Sequence, residues 1–283
     1  MEKIVIPDTV TTINDNSFYY CDNLTDVIIP DSVTTIGESA FEYCSNLITI
    51  TIPEGVTSIS NSVFNGCTKL VSVTIPKSVT LIGNHAFSNC YNLADIVVPD
   101  SVKTIGEAAF SYCESLTNIT IPDNVTTINE YTFCDCAKLA NIKFSKNITT
   151  IDDYAFLCCK SLANIALPNG LTTIGEGAFR DCASLTAITI PESVTSIDNL
   201  AFACCENIAK ITFLGCPSIK VDAFHNRNSN VRDFYCNPCH IEKFKQKGSH
   251  FTPIKPIFSF MEQFFRQFEN VSYIQEQNDL SLE

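Results

Sequence analysis

The chain has 283 residues, 45% of them apolar, with 31 acidic and 18 basic side chains and a formal net charge of −13. That balance speaks against nucleic acid as a partner, and there is no Lys/Arg run to track phosphates. No run of 18 apolar residues occurs, so no integral membrane segment is expected.

From Met1 to about Asn207 one 23-residue unit recurs in register. Position 21 is cysteine nine times, from Cys21 through Cys44 and Cys67 to Cys205. Position 18 is phenylalanine (Phe18 to Phe202) and position 13 isoleucine (Ile13 to Ile197) in the same nine units. Position 7 is proline in eight of the nine, with Ser145 the exception. The length would allow two globular domains, but a fixed short period implies stacked units in one elongated body.

Within a unit, Leu24, Val27 and Ile29 follow Leu-x-x-Val-x-Ile, and the alternation predicts a strand with one face inward. Pro30 ends it, having no N–H for a ladder. Val33 and Ile36 face inward on a second short extended segment. Position 14 is Gly, Asn, Asp or Ser, as at Gly37 and Asn129, and predicts a sharp turn with positive φ. Ala40 and Phe41 are expected on a short helical turn, with Glu38, Glu107 and Glu176 near its start. Coils joined by a parallel ladder rise about 4.8 Å each, so ten coils make a rod or arc roughly 48 Å long.

The motif Leu-x-x-Ile-x-Ile-Pro-x-x-Val-x-x-Ile-Gly-x-x-Ala-Phe-x-x-Cys, seen at Leu93–Cys113 and Leu162–Cys182, resembles the BspA-like leucine-rich repeat family, also called the Treponema pallidum type. The resemblance covers residues 1 to about 251. It implies a repeat solenoid: a leucine-rich repeat right-handed coil with a parallel β-sheet on one face and short strands or helical turns on the other. Position 9 varies among Thr, Ser, Gly and Asn, so no continuous asparagine ladder is expected. The family further implies a surface or secreted adhesion protein or antigen that binds protein, of unknown identity here.

The column of nine cysteines places Cα atoms within disulfide range, yet stacked parallel side chains strain the bridge, and a reduced packing ladder is expected. That ladder, and a first coil entered at Met1 with no visible signal peptide, point to a cytoplasmic location, whereas the family points to the cell surface. Cys134, Cys158, Cys204 and Cys216 lie off the column as free thiols.

The tenth unit begins at Ile208; Leu214 replaces the proline and Phe224 arrives one residue early, so a loop has lost a residue. The solenoid is therefore assigned to residues 1–229 and a strand–helix cap to 230–251, with Phe234 to Cys236 as its strand. Residues 252–283 form a linker and tail. In that tail the spacing of Phe258, Met261, Phe264, Phe265 and Phe268 within Ile257–Phe268 predicts an amphipathic helix, for docking, self-association or membrane contact.

Candidate chemistry is sparse. His85, His225, His240 and His250 fall on different coils with no recurring nucleophile or carboxylate, so no enzyme activity, cofactor or metal is expected. Cys236-Asn-Pro-Cys239-His240 has the form of a redox or metal motif and stands as a minor alternative. The expected protein-binding surface is the outward strand face at positions 2, 3 and 5, with Asp26, Thr49, Ser72, Asp95, Asn118, Asn141, Asn164 and Lys210 at position 3. It reads as small, neutral and poor in aromatics. Tyr20, Tyr43 and Tyr112 share position 20, and Tyr131 and Tyr154 share position 16, as a second candidate patch or as packing. The alternative function is an intracellular scaffold of the same fold. Acceptor sequons at Asn23, Asn118, Asn124, Asn147 and Asn270 would discriminate the two in a eukaryote.

Overall fold

A computed structural model describes residues 3–220, 222–225 and the backbone of 233–236. Every strand pairing in it is parallel, and the units stack as a right-handed solenoid. Coils are numbered here from the position-1 residue, so coil 2 starts at Leu24. Register is 23 residues throughout most of the stack, as in Lys3↔Asp26 and Asn118↔Asn141. The main sheet joins Lys3–Val5, Asp26–Ile28, Thr49–Thr51 and Ser72–Thr74 in coils 1–4. It resumes in coils 6 and 7 and again from Ala187–Ile190 through Lys210–Phe213 to Asp233–Cys236. Coils 5 and 8 continue the stack without an assigned strand at 95–97 and 164–166.

The second file of short strands, such as Thr150–Ile151, Thr173–Ile174 and Ser196–Ile197, runs beside it in the same register. It also locates the lost residue. Ile190 pairs with Phe213 at a separation of 23, but Ser196 pairs with Ser218 at 22. The deletion therefore lies in the loop 214–217.

The core is one continuous column of the positions read as inward. The rings of position 18 stack from Phe18 to Phe202 and on to Phe224, with centroids 5.0–5.8 Å apart and planes within 14° of parallel. Phe41 to Phe202 have no exposed surface, and Ala40, Ala86 and Ala155 at position 17 are equally enclosed. A single coil has too little core to fold alone; each ring is desolvated by the rings above and below it.

Two local expectations need correction. No helix forms in the described residues. Positions 14–21 are successive turns closed by i→i−3 bonds, such as Cys44 N–H to the Phe41 carbonyl (3.1 Å), and tied to the next coil by Phe18 N–H to the Ala40 carbonyl (2.8 Å). Residues at positions 16 and 20 take left-handed φ in each of coils 1–9, for example Ser39 (54°) and Tyr43 (58°), and this prevents a helix from propagating.

The positive φ therefore sits at 16 and 20, not at 14. Position 14 is small for a different reason: a Cβ on Gly37 would strike the carboxylate and backbone N of Asp15 in the preceding coil. That carboxylate is fixed there because it accepts the Glu38 N–H at 2.8 Å. Asn61, Asn84 and Asp153 act in the same way beside Gly83, Gly106 and Gly175. Where position 15 is Glu instead (Glu38, Glu107, Glu130, Glu176), the next coil carries Ser60, Asn129, Asp152 or Asp198. Those side chains close the turn themselves; Ser60 Oγ donates to the Ile36 carbonyl (2.6 Å) and Asn129 Nδ2 to that of Ile105 (2.6 Å).

Candidate interaction surfaces

The main sheet brings the position-3 residues into one outward file. Asp26 accepts a salt bridge from Lys3 at 2.8 Å and pairs in register with Thr49, which pairs with Ser72. Asn141 Nδ2 donates to Asn118 Oδ1 (2.8 Å), and Asn118 Nδ2 to Thr117 Oγ1, so both amide NH2 groups are engaged within the chain. Asp95 and Asn164 are exposed in the two coils without an assigned strand. Lys210 is exposed on the last sheet segment, opposite Ala187.

The file is not uniformly small and neutral. Val5 and Ile28 at position 5, and Ile48 and Val71 at position 2, are each more than 40% exposed on consecutive coils. Val97 is 75% exposed in coil 5. Position 2 belongs to the expected outward face, and Ile48 and Val71 are exposed there as that reading requires.

On the turn side the tyrosines form two groups. Tyr19, Tyr20 and Tyr43 contact one another, with Tyr20 and Tyr43 stacked at 4.7 Å. Tyr112 does not join them. Tyr131 and Tyr154 stack at 5.1 Å, and Tyr154 Oη donates to Glu176 Oε1 at 2.6 Å. That bond, then burial, push the Tyr154 phenol up to about 12. Nearby, burial and the carboxylates of Glu107, Asp153 and Asp152 raise the Glu130 carboxyl.

The cysteine column explains itself through hydrogen bonding. Cys67 Sγ donates to the Phe41 carbonyl at 3.2 Å, and the pattern repeats from Cys44 (to Phe18) to Cys205 (to Phe179) at 3.0–3.3 Å. The same carbonyl accepts the Cys N–H of its own coil, so one oxygen ties two coils. A thiol is small enough for the core and still carries a donor. Burial, then the neighbouring thiol, pushes Cys67 through Cys182 well above the usual thiol range and Cys44 to about 12. All thirteen described cysteines are unbridged. Of the off-column thiols, Cys134 is pushed up to about 12 by burial and by Asp135.

These ladders, repeated without interruption, are the setting for the sequence comparisons. A family model for the BspA type leucine rich repeat region matches residues 1–117 and 103–231 in six copies. The chain belongs to the BspA-type leucine-rich repeat family. A search of curated proteins returned no match. Among solved structures, a leucine rich cell surface protein from Faecalibacterium prausnitzii is 31% identical, covering 83% of this chain and 79% of its own, with a TM-score of 0.49. The T. pallidum leucine rich repeat protein is 29% identical over 65% of this chain and 77% of its own, with a TM-score of 0.52. The pneumococcal vaccine antigen PcpA, at 18% identity, 87% and 76% coverage and a TM-score of 0.53, shares the fold.

Leucine-rich repeat proteins are generally non-enzymatic. Among the described residues no three His, Cys, Asp or Glu side chains are grouped to hold a metal ion. His85 is exposed, and His225 lies 4.0 Å from Asp222 at the surface. No helix among the described residues is long and apolar enough to cross a membrane. The Cys236 side chain, Cys239, His240 and the segment Ile257–Phe268 lie outside the described residues.

Proposed function

We propose that this chain is a non-enzymatic protein-binding solenoid, displayed at the cell surface or secreted, that engages its partner through the strand face. The observation that carries the reading is the exposed apolar group Val5, Ile28, Ile48 and Val71, set beside the position-3 file on four consecutive coils. Val5 with Ile28 at position 5 and Ile48 with Val71 at position 2 border that file as two pairs on adjacent coils, and apolar side chains gathered on one face mark a protein-contact surface. Membership of the BspA-type family supports surface display. The rest of the file, Asp26, Thr49, Ser72, Asp95, Asn118, Asn141, Asn164 and Lys210, forms the polar surround of the contact.

A second reading, an intracellular scaffold, is favoured by one observation: unbridged thiols in every described coil suit a reducing compartment. Antibody staining of intact cells, with a permeabilised control, separates the two. Signal on intact cells supports display. Signal only after permeabilisation contradicts it and leaves the scaffold reading.

A further inference from the structure

The tyrosine group at coils 1 and 2 is not explained by packing. Tyr19 is 44% and Tyr20 57% exposed, although their rings contact each other and Tyr43. Part of that exposure comes from their place in coil 1, where Phe18 and Cys21 are also only partly buried and where Tyr43, at the position of Tyr20 in the next coil, is half-buried by comparison, but it is not the whole of it. Tyr112 holds the same position in coil 5, between two coils, and is still 42% exposed. Local backbone preference does not account for the residue type either. Tyr20 and Tyr43 hold left-handed φ of 58°, which costs a side chain with a Cβ about 1–2 kcal/mol, and other coils place Gly66, Asn89, Asp135 or Asp181 there.

The geometry of the group is built. The Tyr43 ring lies across Gly66 of the next coil, where a Cβ would collide with it, and Tyr20 stacks on Tyr43. Tyr19 meets both rings edge-on, at 78°. Glu42 lies near enough to act on the Tyr19 phenol, Asp22 follows Tyr20 by two residues, and both carboxylates are held in place. Asp22 Oδ1 accepts from Ser45 Oγ (2.9 Å), and Glu42 Oε1 accepts from Asn65 Nδ2 (2.7 Å). Burial against its neighbours and the Glu42 charge keep the Tyr19 phenol above its usual range. Residues 14–23 and 37–46 contain no Lys or Arg, and the cation beside them is Lys69 of the next coil, whose Nζ donates to Asn46 Oδ1 (2.6 Å).

We propose that Tyr19, Tyr20 and Tyr43, with Asp22 and Glu42, form a docking site for an arginine-bearing basic segment of a protein partner. Aromatic faces carry negative potential and attract a guanidinium, which also stacks flat on a ring and pairs with carboxylate through its fixed fork of N–H groups. A cationic segment complements both features of the site at once. An anionic or purely aliphatic one complements neither. The proposal deepens the protein-binding reading by adding a second surface, and it rests on that reading only in taking a peptide as ligand.

The test is fluorescence anisotropy at about 0.15 M salt, where weak long-range attraction is screened. The probe is a labelled Gly-Arg repeat heptapeptide, with its citrulline counterpart as neutral control. The expected result is saturable binding of the arginine peptide and none of the citrulline one. Tyr20→Ala and Tyr43→Ala should each weaken binding about three- to tenfold, while Tyr20→Phe retains it. Asp22→Asn with Glu42→Gln should weaken it as well, whereas Asp100→Asn with Asp123→Asn, an equal charge change in distant turns, should not. Three results would overturn the proposal: no saturable binding, binding untouched by Tyr20→Ala, or equal loss from the distant pair. Ile28→Ser in the strand face should leave this titration unchanged, so failure of the strand-face reading and failure of this site are read separately.

Discussion

Coils 1–5 and coils 6–9 share one core and differ in what they show to water. Of the large hydrophobic side chains exposed among the described residues, Val5, Tyr19, Tyr20, Ile28, Ile48, Val71, Leu81, Tyr91, Val97 and Tyr112 all precede Cys113, and Leu214 alone follows it. Beyond Cys113 the position-3 face is led by amides that bond each other, Asn118 with Asn141. The interior shows no such division: Phe64 and Phe156 are equally buried, and Cys67 and Cys159 donate to the corresponding carbonyls at the same 3.2 Å. The repeat therefore constrains the inside of every coil while leaving the outside free to specialise. Here the amino-terminal half has become the apolar one.

The largest expected effect tests the equality of the interiors. Phe64→Ala and Phe156→Ala should each cost about 3–5 kcal/mol in urea unfolding, and the two should agree closely; a much cheaper substitution in one half would break the shared-core comparison. Phe18→Ala should cost less, since that ring is only partly buried.

Next is alkaline destabilisation through the thiol ladder. Thiols ionise near 9 once unfolded, but the column holds Cys44 and Cys205 up to about 12 and the six between them well above 9. Above pH 9 the unfolded chain binds fewer protons than the folded one, so stability is intact below pH 9 and falls as pH rises, by about 1.4 kcal/mol per thiol per pH unit. Urea titrations at pH 8, 9 and 10 should show that decline, and Cys113→Ala should make it shallower. A pH-independent midpoint would contradict the buried ladder.

A smaller effect, about 1–3 kcal/mol, is expected for Gly106→Ala in the first half and Gly175→Ala in the second, both measured as a shift in urea midpoint. Each added methyl meets the side chain and backbone of the coil before it, those of Asn84 and Asp153 respectively. Least of all, Ile28→Ser and Ile48→Ser should cost about 1 kcal/mol or less, because nearly half of each side chain is already in water. Their effect should appear in partner binding, with Thr120→Ser and Lys143→Ser as second-half controls.

The period was enough to read the strands, the Phe and Cys columns and the missing loop residue, because each depends on which residues of one unit face inward. The reason for glycine at position 14 was also in the sequence, but across units. Gly37, Gly83, Gly106 and Gly175 each follow an Asp or Asn by 22 residues, and Ser60, Asn129, Asp152 and Asp198 each follow a Glu. Reading one column at a time hides a pairing between two adjacent columns of neighbouring coils. The left-handed residues at 16 and 20 were not legible, since Tyr, Ser, His, Leu and Ala occupy those positions alongside Gly and Asn, and intercoil bonding overrides their local preference. At the surface, positions 2, 3 and 5 were readable as outward, Ile48 and Val71 included.

The most direct test of the division between the halves needs no knowledge of the partner. Lysine cross-linking on native cells, read by mass spectrometry, would locate where other proteins contact this chain. The account predicts intermolecular cross-links concentrated at Lys3, Lys69 and Lys77, which lie in the coils carrying the apolar strand face and the tyrosine group. Cross-links centred instead on Lys143, Lys146 and Lys160 would place the partner on the polar half and contradict it.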